Sequence, residues 1–358
     1  MPVVDPRPLR ERIADLGLEQ LEAVEAGDRL YHAGLTDGLP VVPPTAARIE
    51  AMLGGANPGE YAGLGPIPPG FMTPTPWDAA VCAVLAGCDV GALPVVLAGL
   101  AAVADPAFNL LGIQTTTGAA ATLFIVNGPI VQTIGLNPGH NALGPGWRSN
   151  ATIGRAIRLV LHNVGLAVPG TGDMATQGHP GKYTWLVAEN EAGSPWPAFQ
   201  TTRGFAPEDS TVTAVGAVGN VEVVLPLSSP EAMVQTMARS MTIGGNIGHG
   251  YFGSGQPLVL LPPEAADFLT RHGWDRGRFQ HDLWHASGVP LAWLPDSAAE
   301  RVTTARARIG LSPEDDVRAA RTVEDILVVV TGGVGIKATF IPTWAGGTEA
   351  VTRPIARD

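Results

Sequence analysis

The apolar positions of this 358-residue chain fall into two kinds of run. Between residues 8 and 34 they recur at helical spacing. Leu9, Ile13, Leu16, Leu18, Leu21 and Val24 lie between charges, which predicts an amphipathic helix or a pair of helices. The turn Thr36-Asp37-Gly38 and the stiff segment Leu39-Pro40-Val41-Val42-Pro43-Pro44 follow, and Thr45 is placed to cap a short helix through Met52. From Ala79 to Ala104 the chain carries a single charge, Asp89. Gly87, Gly91 and Pro94 divide that stretch into two segments of about ten to twelve residues, which suits buried core helices better than a membrane span. Thr75 or Thr73 caps the first, with Pro76 near its opening turn, and its far end delivers Cys88. The second covers Leu93 to Ala104.

Further along, short apolar runs bounded by turn residues predict strands. They are Asn109 to Gln114, Thr122 to Val126 ending in Asn127-Gly128-Pro129, Tyr183 to Ala188, Thr211 to Val224, Pro257 to Leu261, and Asp325 to Thr331. Helical segments alternate with them: Ala151 to Asn163, Ser229 to Ser240, Pro263 to His272 and Arg276 to Ser287. This alternation predicts an α/β protein with mixed sheets and flanking helices. The 45 glycines and 32 prolines have no fixed period and imply ordered loops and turns. There is no clean sequence repeat, although two strand–loop–helix units have a similar rhythm. The turn near Pro226 to Pro230 suggests a main α/β domain with an N-terminal helical segment, 1–228, and a smaller C-terminal α/β domain, 229–358.

A net charge of −11 argues against nucleic acid as a partner, because phosphates require a basic face. It also argues against an anionic membrane surface. The N-terminus becomes charged at once and resembles no signal peptide. The two cysteines, Cys82 and Cys88, would stand roughly 9 Å apart along one helix axis. That separation exceeds the reach of a disulfide, so reduced thiols in a cytoplasmic protein are expected.

The chain has 20 arginines but only two lysines, Lys182 and Lys337, both in or beside glycine-rich loops. A lysine offers a compact, tunable ammonium that arginine does not. His179 lies three residues before Lys182, and Glu189-Asn190-Glu191 follows seven residues later. Cys88, Lys182 and Glu189 or Glu191 form one chemical inventory: a thiol to attack a nitrile or amide carbon, a carboxylate to take its proton, and an ammonium to stabilise developing charge. His179 is a further acid–base candidate. The loop Gly144 to Asn150 opens a helix, and Arg148, Ser149, Asn150 and Arg155 suit a substrate carboxylate or phosphate. Gln114, Thr116 and Asn127 carry uncharged polar groups at strand ends, where pockets form. His140 and His249 lie in glycine loops. His281 and His285 are four apart on a helix, but Asp282 stands where the metalloprotease motif has glutamate, and no metal site is assigned. No cofactor is required by this chemistry.

Several runs together resemble a largely uncharacterised bacterial family associated with small partner proteins that carry a selenocysteine- or cysteine-Gly-Ser-Cys motif. They are Asp37 to Thr45, Ala86-Gly87-Cys88, Asn127-Gly128-Pro129, Asn150 to Ala156, Pro180 to Tyr183 and Ala188 to Glu191. The Gly-Ser-Cys motif itself is absent here. The resemblance therefore implies a heteromeric enzyme with a redox-type protein partner, and places Cys88 and the Lys182 to Glu191 segment near the shared site. The residues favour an oligomeric small-molecule hydrolase or lyase that adds to, or cleaves, a carbon–nitrogen bond. The alternatives are a thiol- or selenol-dependent subunit, a metal-dependent enzyme and a binding scaffold.

Overall fold

A computed structural model describes residues 5–54, 64–242, 255–308, 310 and 316–356; His249 lies outside them. Among the described residues, eight strands form two mixed four-stranded sheets. They are β1 (Ala121–Asn127), β2 (Leu186–Ala188), β3 (Thr211–Ala217), β4 (Val221–Val224), β5 (Leu258–Leu261), β6 (Leu327–Val330), β7 (Lys337–Ile341) and β8 (Val351–Pro354). The first sheet runs β2-β1-β3-β8 and the second β4-β7-β5-β6.

The unbroken apolar runs predicted as strands are unbroken because both faces are covered. Leu123, Ile125, Val187 and Val215 of the first sheet share one buried cluster with Leu258, Leu260, Leu327, Val329 and Ile341 of the second. The alternate residues Phe124, Val126, Val212 and Ala214 pack on helices Pro76–Ala86, Leu93–Val103 and Arg148–Asn163. Val259, Leu261, Val328 and Phe340 pack on Pro230–Met241, Pro263–Arg271 and Arg276–Ala286. The layers are therefore helix, sheet, sheet, helix, an α/β fold. No single described helix is long and apolar enough to cross a membrane.

The similar rhythm in the sequence corresponds to a repeated topology. β1 crosses through Arg148–Asn163 to parallel β2, and β3 then returns antiparallel beside β1. β5 crosses through helices to parallel β6, and β7 returns antiparallel beside β5. The strand after each unit then joins the other sheet: β4 pairs with β7, and β8 pairs with β3. The crossing point is fixed by the Ala217–Thr343 bridge and by Val218 N–H donating to the Pro342 carbonyl at 2.9 Å.

One of the strand expectations is overturned, and the alternatives left open for residues 8–34 are decided in favour of a helix pair. The stretch Asn109 to Gln114, read as strand, is the helix Leu110–Thr115. Asn109 sits in the left-handed region at φ 51° and its side chain accepts from Gly112 N–H, so its capping chemistry overrides the apolar run. The segment 8–34 is broken at Gly17, φ 58°, into Leu9–Ala14 and Ala23–His32.

The strand exchange generates a prediction. Residues 1–228 expressed alone would lack β8 and every neighbour of β4, while 229–358 would lack β4. Neither piece is expected to give a cooperative urea transition, which circular dichroism would record. A cooperative transition in either piece alone would show that the exchange is dispensable.

Candidate active site

The residues singled out from the sequence fall into three groups. The first surrounds Cys88. Gly87 closes the preceding helix in the left-handed region, φ 84°, and Cys88 N–H donates to the Ala83 carbonyl. Burial pushes the Cys88 thiol up to about 12; the Thr152 hydroxyl, Arg148 and Arg155 oppose this, and Asp89 adds to it. The side chains expected to hold a substrate anion are engaged within the protein. Arg148 pairs with Asp89 at 2.7 Å. Arg155 grips both oxygens of Asp37 at 2.7 and 2.8 Å. Ser149 donates to the Ile134 carbonyl at 2.5 Å, and Asn150 accepts from Asn137 N–H and donates to the Asn137 carbonyl. All four side chains belong to the helix Arg148–Asn163, and these contacts tie its first two turns into the fold.

The second group lies where β1 begins. Lys182 Nζ donates to the Ala120 carbonyl at 3.1 Å and pairs with Asp173 at 2.9 Å. Arg158 shares Asp173 at 2.8 Å and donates to Gln114 at 2.9 Å. Burial lowers the pKa of Lys182 against the pull of Asp173. Burial, then the Lys182 charge, lowers that of His179, whose Nδ1 accepts from Gly181 N–H. Thr116 accepts from Gly118 N–H within a turn. A nearby cavity of about 630 Å³ is lined by Leu143, Asn150, His179 and Trp185 among others, but by no aspartate, glutamate, lysine or arginine.

The third group lies where β1 and β2 end. β1 separates it from Lys182: seven residues at about 3.3 Å each span roughly 20 Å. The thiol, ammonium and carboxylate inventory therefore does not assemble. What does assemble is a carboxylate pair. Glu189 follows β2 directly and is 1 % exposed. Its Oε2 accepts from the Asn127 side-chain amide and, at 2.6 Å, from Phe199 N–H. Its Oε1 accepts from Arg276 at 3.2 Å. The same Asn127 amide donates to Glu191 at 3.3 Å, and Gly128 N–H donates to that Glu191 oxygen at 2.6 Å. One amide thus holds two carboxyl groups. Burial pushes Glu189 up to about 7; Phe199 N–H, Arg276 and Asn127 oppose this, and Glu191 adds to it.

The backbone supports this arrangement tightly. Gly128 has φ 88°, and a side chain there would meet the Asp209 carbonyl at 2.2 Å. Asn190 N–H donates to the Val330 carbonyl at 2.7 Å, and its side chain donates to the Gly332 carbonyl, tying the end of β2 to that of β6. A cavity of about 480 Å³ opens here, lined by Gly128, Gln132, Thr133, Glu189, Asn190 and Glu191 among others. A second, of about 360 Å³, shares Pro129 and Thr133 with it and reaches Asp89. Asn127 Oδ1, Arg276 Nε and Trp196 Nε1 are buried there without a hydrogen-bond partner among the described residues. Among those residues no group of three or more histidine, cysteine, aspartate or glutamate side chains is arranged to hold a metal.

Arg276 and Phe199 were missed from the sequence. A signal for Arg276 existed: it sits in the first helical turn after the Asp275 cap, where a cation opposes the helix dipole. Such a residue is placed for a partner elsewhere. No protein family, curated protein or solved structure matches the chain.

Glu189 makes stability depend on pH. Its folded value of about 7 lies above the ordinary 4.5. Between those values the folded state keeps a proton that the unfolded chain gives up, so this contribution falls as pH rises and is flat above about 7. The decline across the window is about 3 kcal/mol. Urea unfolding at a series of pH values should show that slope in wild type and lose it in Glu189→Gln. Parallel profiles would mean that Glu189 is ionised throughout.

Proposed function

We propose that the chain is a small-molecule enzyme, a hydrolase or lyase, that works by carboxylate acid–base chemistry at the Glu189–Glu191 pair. The observation that carries this reading is the single Asn127 amide holding both carboxyl groups at the wall of the 480 Å³ cavity. Of two neighbouring carboxyls, one can accept a proton while the other holds one. Glu191 is half-buried and lines the cavity, so it is the group that meets substrate. Burial raises the proton affinity of Glu189, which lies behind Glu191, and this limits the charge of the pair.

The substrate in this reading is a small polar molecule, and the step is addition to, or cleavage of, a carbon–nitrogen bond. In hydrolysis Glu191 takes a proton from the attacking water and passes it to the nitrogen as the carbon–nitrogen bond breaks. In elimination it takes a proton from the carbon next to that bond, whose electron pair forms the double bond as the nitrogen leaves and receives the proton. Cys88 is left out as nucleophile, because burial pushes its thiol up to about 12. A cytoplasmic setting belongs to the same proposal and rests on the two free thiols.

The test is a panel of small amides, amidines, nitriles and amino compounds incubated with wild type and with Glu191→Gln. For any compound turned over, the variant should lose about 10²- to 10⁴-fold in kcat, the usual worth of a general base. Cys88→Ser should retain turnover. A substrate processed equally well by Glu191→Gln overturns the assignment.

A further inference from the structure

The helix Arg276–Ala286 points its first side chain inward, where Arg276 meets Glu189, and carries two histidines on an exposed face. His281 and His285 are one helical turn apart, and their Nε2 atoms lie 3.2 Å from each other. His281 Nδ1 stands 2.8 Å from an oxygen of Asp282. A carboxylate accepts, so Nδ1 carries the proton and Nε2 keeps its lone pair. That lone pair faces His285 Nε2. Zinc–imidazole bonds are about 2.0–2.1 Å long, and two nitrogens 3.2 Å apart then subtend about 100° at the metal. This angle lies between octahedral and tetrahedral values. The rings thus stand at chelating distance already, and little side-chain ordering remains for binding to impose.

We propose that His281 and His285 bind a divalent transition metal of the zinc, copper and nickel type, with Asp282 as the residue that fixes the tautomer of His281. A carboxylate on the far nitrogen of a ligating histidine orients the ring and raises its basicity. Two protein ligands leave the other coordination positions to water, so the site is open. It is separate from the carboxylate pair: Arg276 alone on this helix touches Glu189, and both histidines face outward. The proposal does not depend on the activity assigned to Glu191.

The structure supplies an optical reporter. The Trp284 ring meets the His285 ring edge-on, with centroids 4.9 Å apart. The test uses full-length protein without a histidine tag, titrated with zinc chloride by calorimetry and with nickel chloride by tryptophan fluorescence. One equivalent should bind, with nickel quenching part of the emission. His281→Ala and His285→Ala should each abolish that equivalent without changing the circular dichroism, because both side chains are exposed. Trp284→Phe should remove the quench and keep the heat of zinc binding. Asp282→Asn should weaken binding by about 10- to 100-fold. Saturable one-equivalent binding that survives in the His281→Ala/His285→Ala double variant overturns the site. So does wild type that takes up no zinc. An Asp282→Asn variant with wild-type affinity overturns the role given to Asp282.

Discussion

Each sheet of this protein is completed by a strand that belongs, by chain order, to the other unit. β4 follows β3 but pairs with β7, and β8 follows β7 but pairs with β3. This exchange constrains everything else. A sheet of three strands whose inner face is apolar needs cover, and here each sheet covers the other through Leu123, Ile125, Leu258, Leu260 and Val329. Because the exchanged strands run from one sheet into the other, the two cannot separate without breaking ladders in both. The sheets are thus bound by backbone hydrogen bonds as well as by buried apolar surface, and their relative position is set to within the tolerance of a strand register.

That fixed position is what the carboxylate pair needs. Glu189 belongs to the first unit, whereas Arg276 belongs to the second. Asn190 follows β2, yet its N–H is satisfied by Val330 at the end of β6. A buried carboxylate and a buried guanidinium supplied by different units can meet at 3.2 Å only if the units are rigidly placed. The topological repeat also shows how asymmetric the site is. The segment after β2 is Glu189-Asn190-Glu191, and the corresponding segment after β6 is Thr331-Gly332-Gly333. The Thr331 hydroxyl donates to the Ala188 carbonyl at 2.8 Å and lies 3.2 Å from that of Pro138, and Gly333 packs on His140, so the second unit contributes support where the first contributes the carboxyl pair.

Many local elements were legible because each had a local cause, whereas β7, β8 and the helix Asp296–Arg308 were not read from the sequence. The Thr75 cap, the Pro76 start and the Gly87 stop were all readable around Pro76–Ala86, and the structure realises a full capping box there. The exchange of β4 and β8 was not legible, since no residue pattern within a strand names its partner. Asn109 to Gln114 was misread because an apolar run of that length suits either element, and the Asn109 cap decides it. The candidate site was legible in residue type but not in grouping. Asn127, Glu189 and Glu191 were named from the sequence and do meet. Lys182 was named with them and lies at the opposite end of β1, a distance that chain separation cannot reveal when strand and crossover double back.

The distinction between structural and chemical polar groups rests here on saturation rather than on residue type. Arg155 spends its guanidinium on both Asp37 oxygens and on the Leu39 and Pro40 carbonyls. Asn150 is held by backbone on both its oxygen and its nitrogen. Lys182 and Arg158 converge on one aspartate that is 5 % exposed. Each is bound in place by groups whose burial would otherwise be costly, and diverting any of them to a ligand would break a contact the fold uses. Glu191 differs: Gly128 N–H and the Asn127 amide both bind the same oxygen, which fixes the carboxylate while it remains partly exposed to the cavity. A group that is oriented but not consumed can accept a proton without unmaking the structure around it. On that criterion the proposed chemistry is assigned to the strand ends of β1 and β2, and Arg155, Arg158 and Lys182 to the architecture that holds them.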